Sequence, residues 1–291
     1  MRPLTDGECW ARRELEALRA AGYGPRAIAA FLAASRNRAA ATRRARPKLV
    51  RQSRTWTGAG AAAWLALALA GRQPFRRRLG SGLGWWAAVA VMLDWHLGMV
   101  ETEDGRRRGL GPADALTLGR AWLVPVLADE IRPATVLAVA ATDLLDGIAA
   151  RATEPTRAGR DLEGLVDSCA AIAAIGAARR SGRLGRPAAA LELARLTAGP
   201  AYSASIYFGR AEAPDRALTG AARITTPLRV AGLLAAARDR TRLADVLVAA
   251  GSLTSLVALG HAALSERAQS GRAPQTWSRR RRRTQATTRT A

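Results

Sequence analysis

The stretch ATDLLDGIAARATEPTRAGRDLEGLVDSCAA, residues 141–171, sets four carboxylates into alanine-rich apolar sequence, and its reading decides the fold. Its left half reads as a helix with Asp143 and Asp146 at i, i+3, on one face. Pro155 and Gly159 mark a break, and the right half resumes as a helix with Glu163 and Asp167 at i, i+4. Two antiparallel helices joined by so short a loop bring the four acids together near one end. Four anionic groups repel one another unless a cation sits among them. Oxygen donors without a nearby Cys or His pair favour a hard ion, Mg²⁺, Mn²⁺ or Ca²⁺, over zinc. Gly147 follows the second acid, so its missing side chain lets a bulky ligand approach, and Arg151 lies beyond it as a fixed cation for phosphate or carboxylate. The competing reading is a salt-bridge network buried between packed helices, but the acids outnumber the local bases.

Outward from this stretch, apolar blocks recur at 57–71, 83–100, 115–130, 134–150, 164–178, 187–208, 224–237 and 243–264. Several are shorter than the ~20 residues that a perpendicular membrane span needs. Ala and Gly dominate them, which suits helices packed closely against each other. The charges inside them, Asp94, Arg120, Asp143, Asp146, Asp167, Glu192 and Arg195, should face a bundle interior or an aqueous cavity. The expected fold is therefore all-α, a polytopic integral membrane helix bundle, with a soluble all-α bundle as the alternative. Eight spans would put both basic termini on one side, the cytosol. Against this topology, GRQPFRRRLGSG and ARRSGRLGRP would be extracytoplasmic loops, and both carry several arginines.

The chain has 291 residues and a formal charge of +22, almost wholly from arginine, since Lys48 is the single lysine. No nucleic-acid-binding motif accompanies that charge, so no nucleic acid is expected. Basic clusters flank apolar segments, and anionic membrane lipids are the expected partner. Eight of the aromatic residues are Trp, a residue that commonly anchors helices at a bilayer interface. Cys9 and Cys169 give neither a disulfide framework nor a metal motif. The N-terminal sequence lacks the apolar core of a signal peptide, so insertion would use internal segments. The organisation read from these features is a basic cytosolic region at 1–54, two extra hydrophobic helices at 55–111, a membrane core at 112–266 and a basic tail at 267–291. Within the first region an amphipathic stretch from Glu14 to Ala34 reads either as a surface-lying helix or as a short helix pair.

Asp143-x2-Asp146-Gly147-x2-Ala150-Arg151, then Gly159-x3-Glu163-x3-Asp167, resembles the signature of the CDP-alcohol phosphatidyltransferases, D-x2-D-G-x2-A-R-x8-G-x3-D-x3-D. Upstream, PADALTLGRAWLVPVL (112–127) resembles the first core helix of that family. The resemblance covers roughly 112–266, as a six-helix core. Two departures stand out: seven residues separate Arg151 from Gly159 where the family has eight, and Glu163 stands where the family has Asp. Asp161 is a conceivable substitute ligand.

The resemblance implies one or two Mg²⁺ or Mn²⁺ ions held by Asp143, Asp146, Glu163 and Asp167, with Asp167 also the general base. It implies a nucleotide lined by Gly147, Ala150, Arg151 and Gly159, and a homodimer in the cell membrane with its site facing the cytosol. The implied reaction moves a phosphatidyl group from a CDP-diacylglycerol-like lipid to a hydroxyl acceptor and releases CMP. A phosphorylated alcohol is the first candidate acceptor. Arg120, Arg210 and Arg223 are candidate phosphate contacts, with Arg216 and Arg229 in the same cluster. Thr117 and Arg120 either touch the nucleotide or, for Arg120, pair with a motif acid. Asp94 and His96 either flank the site or sit at an interface, and His261 reads as structural. Two rival functions remain: a non-catalytic relative that binds lipid or protein, and an ion transporter, against which the Gly147/Ala150/Arg151 spacing argues.

Overall fold

In the computed structural model the described residues are 6–102, 105–153, 156–210 and 217–270; the side chains of residues 150, 203, 206–210, 217–224 and 266–270 lie outside them. Ten α-helices fill these residues: α1 (Asp6–Ala20), α2 (Pro25–Ala45), α3 (Pro47–Leu69), α4 (Leu79–His96), α5 (Pro112–Asp129), α6 (Pro133–Ala152), α7 (Arg157–Arg180), α8 (Arg186–Arg210), α9 (Ala217–Ala237) and α10 (Thr241–Ser270). No strand occurs among them, only an isolated bridge between Glu101 and Arg107. The all-α expectation holds. Each of the eight apolar blocks corresponds to one helix, α3 to α10. Proline at the start of α2, α3, α5 and α6 sets the first turn where its missing N–H costs nothing.

Several boundaries differ from the sequence reading. The amphipathic stretch is a helix pair, broken at Ala21–Gly24, and its second member runs on to Ala45. α3 starts at Pro47, so it crosses the expected division at residue 54. Gly159 does not lie in the break either. Thr156 caps α7 by accepting a hydrogen bond from the Gly159 N–H (2.9 Å), which puts Gly159 in the first turn. Among the described residues one helix, over Thr241–Ser265, is by itself long and apolar enough to cross a membrane.

Several tryptophans also pack the helices together. Trp64 and Trp86 are buried, and three indole N–H groups stitch α3, α4 and α5 together. Trp86 donates to Thr57 O (2.6 Å), Trp122 to Gly60 O (2.9 Å) and Trp85 to Ala121 O (2.8 Å). The last has a backbone cause. Pro125 has no N–H to offer the carbonyl four residues earlier, and that orphan is Ala121 O. Glycine makes room for this interlock: a Cβ at Gly60 would lie 2.3 Å from the Trp86 ring, and one at Gly82 would lie 2.2 Å from the Trp64 ring.

Two apolar clusters flank the polar middle of the bundle. One joins Leu49, Trp86, Leu93, Leu118, Leu162 and Val166, and the other joins Leu127, Ile131, Ala174, Ala178, Ala236 and Val248. The N-terminal helices are fixed to this body by polar ties. Arg46, between α2 and α3, donates to the carbonyls of Leu97 (3.3 Å), Val100 (3.0 Å) and Arg108. Burial, and then the neighbouring Arg107 charge, lower the Arg46 pKa, with Glu101 opposing. Gln52 bonds both the N–H and the carbonyl of Leu110. Glu8 of α1 pairs with Arg157 at the start of α7.

Candidate metal centre

The four acids meet through a third helix. α5 packs on both α6 and α7, which make little direct contact with each other. This corrects the two-helix hairpin expected from residues 141–171. Ala113, Thr117 and Ala121 keep α5 slim, and Arg120, one-hundredth exposed, reaches out from its middle. Its Nη1 donates to Asp143 Oδ1 (2.7 Å) and to Asp167 Oδ1, and its Nη2 donates to Asp146 Oδ2 (2.6 Å). Thr117 Oγ1, one turn earlier, donates to the same Asp146 oxygen at 2.6 Å.

Asp146 is thus buried and doubly bonded on its inner side, whereas the side chains of Asp143 and Asp167 are 42% and 43% exposed. Asp143, Glu163 and Asp167 each bring an oxygen within 4.8 Å of the other two. This all-oxygen set suits a hard divalent cation. The longer Glu163 side chain reaches the group despite the one-residue shortening of the loop. Asp161 is exposed on α7 and is not in that group. Four carboxyl groups surround one guanidinium, so the acids outnumber the bases here.

The expected nucleotide residues fall on the side facing the α6–α7 loop. Gly147 has open space over its Cα except for Arg151, whose Nη1 would lie 3.4 Å from an added Cβ. Arg151 itself is exposed, and the Ala150 side chain lies outside the described residues. Gly159 is required by packing: an added Cβ would stand 2.7 Å from Asp114 Oδ1 and 2.8 Å from Thr156 Oγ1. Asp114 also caps α5, accepting from Gly111 N (2.7 Å), and Thr156 Oγ1 donates to it at 3.2 Å. A narrow crevice of about 20 Å³, room for one water, runs between Arg108, Asp114, Asp146, Thr153, Gly159 and Glu163. Arg108 closes it by donating to Thr153 O.

On the opposite side Asp143 and Asp167 open onto a larger cavity of about 480 Å³. Arg120, Asp143 and Asp167 form one wall; Glu192, Arg195 and Arg229 form the other; Val136, Val139, Leu196 and Leu233 lie between. The far wall is a network that the sequence reading did not assemble. Arg195 clamps Glu192 from Nε (2.8 Å) and Nη2 (2.6 Å), Arg229 Nη1 approaches it at 3.3 Å, and Ser252 Oγ donates at 2.7 Å. Glu192 and Arg195 at i, i+3 inside an apolar block were a visible signal; Ser252, 60 residues downstream, was not.

Of the candidate phosphate contacts, Arg120 sits on the acids, and Arg229 lines the cavity. The side chains of Arg210 and Arg223, like Arg216, lie outside the described residues. Asp94 pairs with Arg43, and His96 Nδ1 lies 2.7 Å from Met92 O. His261 is exposed on α10. Compared with family models, curated proteins and solved structures, the chain matches none of them.

Proposed function

We propose that the chain is a polytopic membrane protein and a metal-dependent CDP-alcohol phosphatidyltransferase. The observation that carries the reading is the meeting of Asp143, Glu163 and Asp167 oxygens within 4.8 Å, next to the Gly147–Arg151 half of the signature. The distribution of polarity supports the membrane setting. Leu69, Leu144, Ile148, Val246, Val257 and Leu264 are half-exposed or more, while Arg120, Asp146, Glu192 and Ser252 are buried. Exposed apolar side chains over a polar interior are the arrangement that a lipid-facing bundle calls for. On α6, Leu137, Leu144, Leu145 and Ile148 point outward while Asp143 and Asp146 point to Arg120.

In this reading Asp143, Asp146, Glu163 and Asp167 hold Mg²⁺ or Mn²⁺, which when bound neutralises the diphosphate of a CDP-alcohol. Gly147 leaves space for the nucleotide, and Arg151, free to swing from its exposed position, pairs with a phosphate oxygen. Asp167, open to the cavity, takes the proton of an acceptor hydroxyl there. The acceptor oxygen then forms a bond to the lipid-side phosphorus as the bond to CMP breaks. Arg195 and Arg229 on the far wall favour an acceptor with its own anionic group. The test is CMP release from labelled CDP-diacylglycerol by the folded protein with Mg²⁺ or Mn²⁺ and a panel of hydroxyl acceptors. Release that needs both metal and acceptor supports the reading; no CMP with any acceptor contradicts it.

A second reading, a non-catalytic relative, draws on one observation: Arg120 bridges three of the acids and already supplies part of their counter-charge. Under it the same assay gives no CMP, while lipid binding persists.

A further inference from the structure

We propose that the elbow between α2 and α3 binds the phosphate-bearing headgroup of an anionic phospholipid, with an acyl chain laid along the exposed face of α3. The proposal rests on the membrane reading above but not on the transfer reaction. α2 ends in Arg43-Arg44-Ala45, and after Arg46 the chain turns into α3 at Pro47. A groove of about 740 Å³ opens at this turn, and Arg43, Arg44, Arg51 and Arg54 line it. Asp94 neutralises Arg43. The side chains of Arg44, Arg51 and Arg54 take no hydrogen bond or ion pair among the described residues, and all three are exposed. Three uncompensated guanidiniums around one groove repel each other unless an anion lies among them, and phosphate is the anion their forked donors fit best.

The elbow is held in shape before any ligand arrives. Arg46 is engaged with the carbonyls of Leu97, Val100 and Arg108, and Gln52 with Leu110, so the groove walls do not depend on the ligand. Below the arginines the exposed side of α3 becomes wholly uncharged from Thr55 to Ala70. Gly58, Ala62, Leu65 and Leu69 recur there at helical spacing on exposed positions. Eleven residues of helix span about 16 Å, close to half of the ~30 Å hydrocarbon core, which is the depth of one leaflet. The elbow also lies at the end of the bundle where α5 begins, through Gln52 and Leu110, and where α6 ends, through Arg108 and Thr153. In the membrane reading that end is cytosolic, the face where anionic lipids attract basic segments.

Retained lipid, counted by native mass spectrometry of the full chain in zwitterionic detergent, tests this. Dioleoyl phosphatidylglycerol and dioleoyl phosphatidylcholine are offered at equal concentration. The proposal expects preferential retention of phosphatidylglycerol, weakened roughly a hundredfold in R44Q/R51Q/R54Q. It expects retention between that of the wild type and the glutamine triple variant in R44K/R51K/R54K, which keeps the charge and loses the forked donors, and full retention in R72Q/R76Q, which removes charge from the α3–α4 loop instead. Helical circular dichroism checks folding of each variant, and R51Q alone, expected to lose about fivefold, serves if the triple variant does not fold. Equal retention of the two lipids, an unaffected triple variant, or an equal loss in R72Q/R76Q overturns the groove. So does displacement of the lipid by millimolar inorganic phosphate, which would mark a free-anion site. A chain that alkaline carbonate strips from vesicles overturns the membrane reading and the groove together, whereas CMP release is no part of the readout.

Discussion

Two polar clusters face each other across one cavity, and they are charged in opposite ways. The α5–α6–α7 cluster sets three carboxylates on a single guanidinium, Arg120, with Glu163 as a fourth acid beside them. The α8–α9–α10 cluster sets two guanidiniums and a serine on a single carboxylate, Glu192. In Glu192 every oxygen is bonded, and the side chain is 3% exposed. That is what a buried charge needs in order to be tolerated. Asp143 and Asp167 instead keep more than two-fifths of their side chains open to the cavity and share one partner. The contrast is one of charge balance. A satisfied network holds helices in place, whereas an under-compensated one invites a cation and a substrate.

The largest expected effect tests the role of the open acids. Asp167→Asn lowers CMP release by about 10²- to 10⁴-fold, the weight of a lost general base, with nucleotide binding largely retained. Unchanged turnover would remove Asp167 from that role. Glu192→Ala probes the other cluster. It leaves the partly buried Arg195 and Arg229 without their carboxylate and destabilises the fold by about 3–5 kcal/mol in denaturant unfolding. In addition, Mg²⁺ at about a hundred times its Kd should raise the stability of the wild-type chain by about 2.7 kcal/mol. That increment should survive Glu192→Gln and vanish in Asp143→Asn; a reversed pattern would exchange the roles of the two clusters.

Smaller effects sharpen the geometry of the first cluster. Gly159→Ala pushes a methyl group against Asp114 and Thr156 and should cost about 1–3 kcal/mol of stability; no loss would mean that α7 can shift away from α5. Glu163→Asp withdraws an oxygen from the group around Asp143 and Asp167. Metal affinity should fall by roughly tenfold, the scale on which a misplaced metal-site group acts. A rise would show that the longer side chain is a defect rather than a fit to the shortened loop.

Much of the architecture was legible because the bundle is written in blocks. Apolar runs separated by Arg, Gly and Pro gave one helix each, and the i, i+3 and i, i+4 spacings gave the faces of α6 and α7. The tertiary partners were not legible. Nothing local says that Arg120 lies between the two acidic helices rather than on a phosphate, because arginine serves both and the choice depends on how closely α5 approaches. The indole of Trp85 answers a carbonyl freed by Pro125 on another helix, a pairing that 36 residues of sequence hide. Ser252 completes the Glu192 network by the same kind of distant contact. The loop shortened by one residue and the Glu at 163 looked like two separate departures, yet the three acids still meet.

The central claim is that the under-compensated cluster is a divalent-cation site. Electron paramagnetic resonance of Mn²⁺, titrated into the full chain in detergent micelles, measures this without relying on turnover. The account predicts saturable binding of one or two ions per chain, competed by Mg²⁺, unchanged in Glu192→Gln and lost in Asp143→Asn/Asp167→Asn. Absence of saturable binding by the folded wild-type chain, with or without CDP-diacylglycerol, would contradict it.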